Sequence, residues 1–295
     1  MKRIDSCPIC SKSTFSPFLE CKDYTVSLDT FSIVKCGNCD FAFTNPIPED
    51  SKIGSYYESE KYISHSNTSK GIVNRLYQLV RNYTLKKKIN LLQSLSGNKD
   101  LLDIGSGTGE FINQAQDYNF KVKGIEPSET ARKKGEENYG LLANEEKAIN
   151  RFSDQKFGFI TMWHVLEHVY HLNDRIAEIY RILKDDGYVI IAVPNHTSYD
   201  AKHYKEFWAA YDLPRHLYHF SPNTIEKLFQ KHHFTLHKTI PMKFDSFYVS
   251  MLSEKYKTGK SNLMKAFWIG LKSNLKANNS STFSSQIYIF RKTKI

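Results

Sequence analysis

One stretch limits this chain more than any other. Leu101-Leu102-Asp103-Ile104-Gly105-Ser106-Gly107-Thr108-Gly109-Glu110-Phe111 is an apolar run that ends in an acid, passes through alternating glycines and opens an amphipathic segment. A strand that gives way to a glycine loop and then a helix lets the backbone turn sharply and approach a ligand closely. Glu126 follows 23 residues after Asp103 and closes the strand-like Val122-Lys123-Gly124-Ile125. An acid at that place can take both hydroxyls of an adenosine ribose. A glycine turn with a purely structural purpose would not need the strand, the acid and the spacing together.

Two adenosine-bearing cofactors compete for such a loop. Nicotinamide dinucleotides use G-x-G-x-x-G, which sets a pyrophosphate on the helix N-terminus. Here the third glycine comes one residue early, and Asp103 and Glu110 flank the loop. Carboxylates repel a pyrophosphate but not a sulfonium or an ammonium. The charge pattern therefore favours S-adenosylmethionine.

Hydrophobic periodicity places the loop in a longer alternation. Strands are expected at 101–104, 121–125, 157–163 and 187–193, with a closing pair at 236–242 and 286–291. Helices are expected at 111–118, 129–138, 173–183 and 223–232, after a lead-in helix near 72–95. Strands and helices at this spacing imply an α/β fold with a Rossmann-like, mostly parallel sheet covered on both faces. A small unit precedes it. Residues 1–48 carry paired cysteines and β-prone runs, 49–80 read as a connector and lead-in helix, and 81–295 form the large domain.

Cys7-Pro-Ile-Cys10 and Cys36-Gly-Asn-Cys39 are two C-x-x-C turns. Two thiolates so spaced bind one ion from a single tight turn, and four cysteines close a tetrahedron around structural zinc. Gly37 suits such a turn. Redox dithiols are the rival reading, but no thioredoxin-like helix follows either pair. Cys21 is left over and reads as a buried, idle thiol.

These stretches together resemble class I S-adenosylmethionine-dependent methyltransferases. Leu101–Phe111 resembles their motif I, and Glu126 their ribose-binding acid. Phe157–Val169 resembles the fourth strand with its trailing "EHV" turn, and Leu183–Asn195 the "LkpGG" turn and fifth strand. Asp212-Leu-Pro-Arg-His-Leu-Tyr-His-Phe-Ser-Pro222 resembles the "PRHL…F" segment of one bacterial subgroup. That subgroup also opens with a zinc-ribbon-like pair of CxxC knuckles and an "NP.P…YY" connector, here Asn45–Pro48 with Tyr56 and Tyr57. Gly158 and Asp186 depart from the pattern, standing where the family has an aspartate and a glycine. The resemblance implies that Asp103, Gly105, Ser106, Gly107, Gly109, Glu126, Pro127, Trp163 and His164 line the cofactor pocket. It also implies a sugar, nucleotide-sugar or glycolipid acceptor, since similar proteins accompany surface-polysaccharide biosynthesis.

Methyl transfer is an in-line displacement that asks mainly for positioning, and a hydroxyl acceptor asks in addition for a base. His168 follows the fourth strand, and Arg215 and His216 sit in the PRHL segment, so these three are the catalytic candidates. Arg215 binds an anionic acceptor group on one reading and fixes a loop through a carboxylate on the other. His232, His233 and His237 are expected to face solvent or to cap a helix. The connector tyrosines serve as a substrate lid or as packing.

The formal charge of +10 suits an anionic partner, but the lysines are dispersed and only Lys86–Lys88 form a tight run, which reads as a solvated surface. No apolar run approaches the roughly 18–20 residues needed to cross a bilayer, and the opening MKRIDSCPIC lacks a signal-peptide core. The expectation is a cytoplasmic protein. Residues 251–277 carry Leu263, Met264, Phe267, Trp268, Leu271 and Leu275 at helical spacing among lysines. That helix lies on a membrane surface, on the domain or on a second copy. Two alternatives remain at this point: an RNA methyltransferase, suited by knuckles and positive charge, and a non-catalytic scaffold on the same fold.

Overall fold

The computed structural model describes residues 1–57, 72–141, 143–260 and 262–293. A six-stranded sheet carries the chain's main core, and its strand order is β5-β4-β6-β7-β10-β9. These strands are β4 (Asp100–Ile104), β5 (Lys121–Ile125), β6 (Phe157–Trp163), β7 (Leu183–Pro194), β9 (Phe234–Pro241) and β10 (Ser285–Lys292). β5, β4, β6 and β7 are parallel, and β10 is antiparallel to both β7 and β9. β4 lies at the centre of the crossover pattern, so its C-terminal end opens on the crevice where an α/β sheet binds ligands.

Alternating side chains of the parallel strands feed two cores, as their near-continuous apolar runs require. Leu102, Ile104, Ile160, Met162, Val189 and Ile191 face one side. They meet α4 (Leu172–Ile182) through Leu172, Ile176 and Ile179, and α6 (Pro222–Lys231) through Ile225, Leu228 and Phe229. Leu101, Phe159, Ile190 and Ala192 face the other side. There they meet Ile89 and Leu92 of α1 (Ile72–Ser94) and Phe111, Ile112 and Ala115 of α2 (Glu110–Asp117). Each such leucine or isoleucine contributes roughly 1.5–3 kcal/mol by leaving water. α3 (Glu129–Tyr139) and the short α5 (Tyr199–Tyr204) complete the first part of the domain.

A second, antiparallel sheet has the order β1-β2-β3-β8. β1 (Phe15–Lys22), β2 (Thr30–Cys36) and β3 (Ala42–Thr44) come from the cysteine-bearing segment, but β8 (Tyr218–His219) comes from the PRHL segment. The small sheet is therefore completed by a strand of the large domain. Phe31, Ile33 and Ala42 pack in one cluster with Tyr204, Trp208, Tyr211 and Leu213.

Several elements differ from the sequence expectations. β7 begins at Leu183 rather than 187, because Leu183 already pairs with Phe157 across a bulge. Gly158 is explained by backbone proximity: a Cβ there would lie 2.0 Å from the Asn98 carbonyl oxygen. An aspartate cannot fit at that position. Residues 251–277 are not one helix. α7 (Asp245–Thr258) ends at Gly259, a left-handed C-cap with φ 75°, and α8 (Leu263–Ser280) starts anew with Asn262 as its cap.

α8 is packed on the domain by its small side. Ala266, Gly270, Ser273, Asn274 and Ala277 are buried, whereas Leu263, Met264, Phe267, Trp268 and Leu275 are exposed. The apolar surface continues onto neighbouring elements, where Phe247 stacks on Phe267 and Tyr83 meets Phe244 edge-on. Among the described residues, no helix is long and apolar enough to cross a membrane.

Candidate active site and cysteine cluster

The glycine loop leaves β4 as the pattern requires. Gly105, Gly107 and Gly109 all have left-handed backbones, with φ of 75°, 56° and 87°. At Gly105 a Cβ would meet Val165 Cγ2 at 2.3 Å, so the loop packs directly on the turn after β6. At Gly107 a Cβ would meet nothing within 4 Å. That open side is where a cofactor would lie.

Glu126 stands at the end of β5 with its carboxylate against the loop. Its Oε2 accepts from the Gly107 amide at 2.8 Å and its Oε1 from the Ser128 amide at 2.9 Å. Both oxygens retain free lone-pair directions for ribose hydroxyls. Pro127 follows it and is exposed, and Ser106 is buried beneath the loop. Asp103 is buried and accepts from Thr161 Oγ1 at 2.5 Å. Burial pushes its carboxyl up to about 7, against the pull of Thr161 and the Lys88 ammonium.

α1 contributes residues that the sequence reading left on the surface. Arg81 forms an ion pair with Glu110. Lys88 Nζ lies 4.2 Å from the centre of the Trp163 ring. Burial brings Lys88 down to about 8 even though Asp103 and Asp245 hold it up. Arg81 and Lys88 are seven residues apart, so they share one face of a helix. That spacing was the available signal, and it reads past the Lys86–Lys88 run. It also revises the electrostatic argument, because Glu110 is paired with Arg81 and the buried Asp103 is pushed toward its neutral form beside Lys88, which leaves Glu126 as the acid facing the loop.

Trp163 closes β6 and packs edge-on against Phe111. His164 follows with φ 58°, a backbone region that is strained for a histidine. Its Nδ1 is 3.4 Å from Glu167 Oε1 and its Nε2 is 3.3 Å from Asp245 Oδ2. Burial alone would lower its pKa, but the two carboxylates outweigh burial and raise it to about 9. His164 is thus a cation clamped between two acids.

Glu167, His168 and His216 gather beside it, with ligand atoms all within 4.8 Å of one another. The His168 and His216 rings are 4.5 Å apart. His168 Nδ1 is 3.0 Å from both the Arg215 carbonyl and the Tyr57 hydroxyl. Burial, with His216 nearby, lowers its pKa to about 4. Tyr57 is therefore tied to this cluster, while residues 58–71 of the connector lie outside the described residues. The Arg215 guanidinium is committed to other partners. It is 1% exposed and donates to Asp212 at 2.6 and 3.0 Å, to Asp23 at 3.1 Å and to the Tyr56 carbonyl at 3.0 Å. His232 is the C-cap of α6 and bonds Asn173.

The four cysteines converge. Cys7 and Cys39 sulfurs are 3.5 Å apart, as are those of Cys10 and Cys36, and all four lie within 4.8 Å of one another. A zinc ion at about 2.3 Å from each sulfur fits that spacing. Burial pushes Cys7 up to about 11, so the four do not ionise together without a cation. The left-handed residue of each turn is not Gly37 but Ser11 (φ 58°) and Asp40 (φ 63°). Their amides bond back to the Cys7 and Cys36 carbonyls at 2.9 and 3.0 Å. Cys21 is buried, and burial raises its thiol to about 12, which leaves it inert.

Comparison with known proteins agrees with this geometry. The sequence profile of a family described as "Methyltransferase domain" matches residues 77–239, more than half of the chain. The chain belongs to this methyltransferase family. Among solved structures, a geranyl diphosphate methyltransferase in complex with SAM superposes with a TM-score of 0.54 at 14% identity, covering 79% of this chain and 95% of that one. A SAM-dependent methyltransferase from Archaeoglobus fulgidus gives 0.50 at 18% identity, covering 72% and 94%. A candidate sarcosine dimethylglycine methyltransferase from Galdieria sulphuraria gives 0.51 at 14%, covering 74% and 88%. At these identities the likeness shows the fold. No curated protein matches the sequence.

Proposed function

We propose that this methyltransferase uses S-adenosylmethionine to methylate a hydroxyl-bearing small molecule or sugar, with zinc in its cysteine cluster as a structural ion. The observation that carries the reading is the glycine loop, whose Gly107 amide lies on the Glu126 carboxylate beside open space. The adenosine ribose would take Glu126, and Trp163 and His164 would border the sulfonium end. The acceptor would enter over Glu167, His168 and His216. Its oxygen attacks the methyl carbon as the carbon–sulfur bond breaks, the bonding pair stays on sulfur, and the hydroxyl proton passes to water. Arg215 is read as a positioning residue, because its guanidinium is committed to two carboxylates. A role in surface-polysaccharide synthesis rests on the resemblance of the PRHL segment. The domain division at 48 and 80 is kept as a description of sequence segments.

Calorimetric titration of S-adenosylmethionine and S-adenosylhomocysteine tests the cofactor. Wild type is expected to bind both saturably, and Gly107→Arg to lose at least about a hundredfold in affinity, ~2.7 kcal/mol. The variant side chain meets no neighbour at its Cβ, so the fold loses only the left-handed backbone cost of about 1–2 kcal/mol. Absence of binding by folded, zinc-loaded wild type would sink the reading and bring back the nicotinamide alternative.

The outward face of α8 supports a membrane-surface partner. Its exposed apolar residues are flanked by Lys265, Lys272 and Lys276, and the helix holds no acid. Wild type is expected to sediment with vesicles containing phosphatidylserine at low salt, and Trp268→Glu to stay in the supernatant. Wild type left in the supernatant, and dimeric by ultracentrifugation, would give that face to a second copy instead.

A further inference from the structure

We infer that Glu167, His168 and His216 form a second metal site, distinct from the cysteine cluster, which takes one divalent cation of the Mn²⁺, Fe²⁺, Co²⁺ or Zn²⁺ class at the acceptor end of the active site. The inference deepens the proposed function and rests on it for the role of the ion, but not for its binding.

Proton placement carries the argument. A carbonyl oxygen only accepts, so a histidine nitrogen facing one must bear the hydrogen. His168 Nδ1 faces the Arg215 carbonyl at 3.0 Å, with the Tyr57 hydroxyl oxygen at 3.0 Å as a second group able to accept from it, and His216 Nδ1 faces the Ala210 carbonyl at 2.9 Å. Both imidazoles are therefore fixed in the tautomer that leaves Nε2 as a lone pair. Histidine ligands are oriented in this way, with the far nitrogen donating to a backbone carbonyl. The third ligand is Glu167. Its side chain is 0% exposed, and neither carboxylate oxygen has a hydrogen-bond partner. Its nearest cation, His164, is 3.4 Å away and shared with Asp245. A buried carboxylate with one oxygen facing only a shared cation and the other facing none costs free energy unless an ion or further donors satisfy it.

The three ligands come from two segments that the fold brings together. Glu167 and His168 belong to the 3-10 turn Leu166–His168 after β6. His216 precedes β8, and the Leu217 amide bonds the Glu167 carbonyl at 2.8 Å. Two histidines and one carboxylate leave coordination positions open, as catalytic sites do and structural sites do not. The open positions suit a hydroxyl or a pair of neighbouring hydroxyls on the acceptor. Held by these three residues, an ion would supply Lewis-acid chemistry, lowering the pKa of a hydroxyl beside it so that the proton could pass to water. The substrate class is thus an oxygen acceptor.

Metal content and Mn²⁺ binding test the site without any acceptor. Zinc-loaded wild type is expected to bind one Mn²⁺ per chain by electron paramagnetic resonance titration, or to carry two zinc ions by mass spectrometric metal analysis. Glu167→Gln and His216→Ala are expected to lose one ion and keep the other, with S-adenosylmethionine affinity changed less than about threefold, below 0.7 kcal/mol. Should His216→Ala misfold, Glu167→Gln alone decides, since it keeps the side-chain shape. One metal per wild-type chain under saturating Mn²⁺ and Zn²⁺ would overturn the site. Loss of S-adenosylmethionine binding with two metals retained would instead count against the cofactor reading.

Discussion

Arg215→Met is expected to destabilise the protein by about 3–5 kcal/mol, the cost of removing one partner from a buried ion pair. Arg215 is 1% exposed, and its guanidinium spans Asp212 in a two-pronged contact, Asp23 and the Tyr56 carbonyl. Methionine replaces the stem but leaves two carboxylates facing a cavity. Asp23 keeps other donors, from the amides and hydroxyls of Thr25 and Ser27. Burial pushes against its charge, yet those donors and Arg215 hold it at about 2. A carboxyl lowered from 3.8 to about 2 stabilises the fold above 3.8, and that stability is lost as pH falls through 2. The penalty of the variant is therefore expected to narrow below pH 4, where the orphaned carboxylates can take protons. Urea unfolding with an unchanged slope measures it. Arg215→Lys is expected to recover less than half, because an ammonium cannot match the fork of Asp212. A loss under about 1 kcal/mol with methyl transfer abolished would reverse the assignment and give Arg215 to the acceptor.

The elements of the main sheet were legible because each carries its own local signal. β4 and β6 are short apolar runs and β5 a lysine-alternating one, all bounded by turn residues, and the structure has their ends within about two residues of those expected. Gly105, Gly107 and Gly109 were legible for a related reason, since their left-handed backbones demand glycine. What escaped the sequence is what depends on distant segments meeting. β1 has an irregular apolar pattern because Phe15, Pro17 and Leu19 straddle a bulge. β8 is two residues long and becomes a strand only by pairing with β3. Lys88 looked like one of three surface lysines, and only the docking of α1 buries it over Trp163. His168 and His216 were singled out as separate candidates, but Glu167 was missed as their companion. An acid beside a histidine has no unusual spacing, and its burial without partners is a property of the folded site. Both readings of Arg215 suit its sequence; the Asp212, Asp23 and Tyr56 contacts favour the loop-fixing one, and Asp23 lies 192 residues away in sequence.

Loss of the cysteine cluster, and of the zinc proposed for it, is expected to unfold more than the first 48 residues and to stop methyl transfer while sparing the cofactor. Zinc in four-cysteine sites contributes on the order of 10 kcal/mol of apparent folding free energy, more than a three-stranded sheet of this size supplies from its own burial. Cys36 ends β2 and Cys39 follows it, so the cluster holds the hairpin that β3 completes. β3 in turn grips the PRHL segment. Thr44 Oγ1 donates to the His216 carbonyl at 2.7 Å, and the Thr44 amide to the Leu217 carbonyl at 2.9 Å. Releasing β3 frees the backbone that carries His216. Among the described residues, the parallel sheet, the glycine loop and Glu126 share no hydrogen bond with β1–β3, although Cys36, Cys39, Phe41 and Phe43 pack in the same apolar cluster as Leu102, Ile160 and Val189; the strand ladders of the parallel sheet are expected to persist. A Cys36→Ser, Cys39→Ser double variant is the cleaner test, because a chelator would also strip any ion held at the site proposed for Glu167, His168 and His216. Hydrogen exchange should speed by at least about a hundredfold at the amides of 30–44 and 216–220, a local opening free energy reduced by ~2.7 kcal/mol. Exchange at 101–104 and 157–163 should stay slow, and S-adenosylhomocysteine affinity should hold. If exchange at 216–220 is unchanged when the cluster is lost, β8 is held by the large domain alone, and the cysteine unit is an appendage without a hand in the chemistry. If 101–104 also opens, the two sheets fold as one cooperative body and the zinc supports the cofactor site as well.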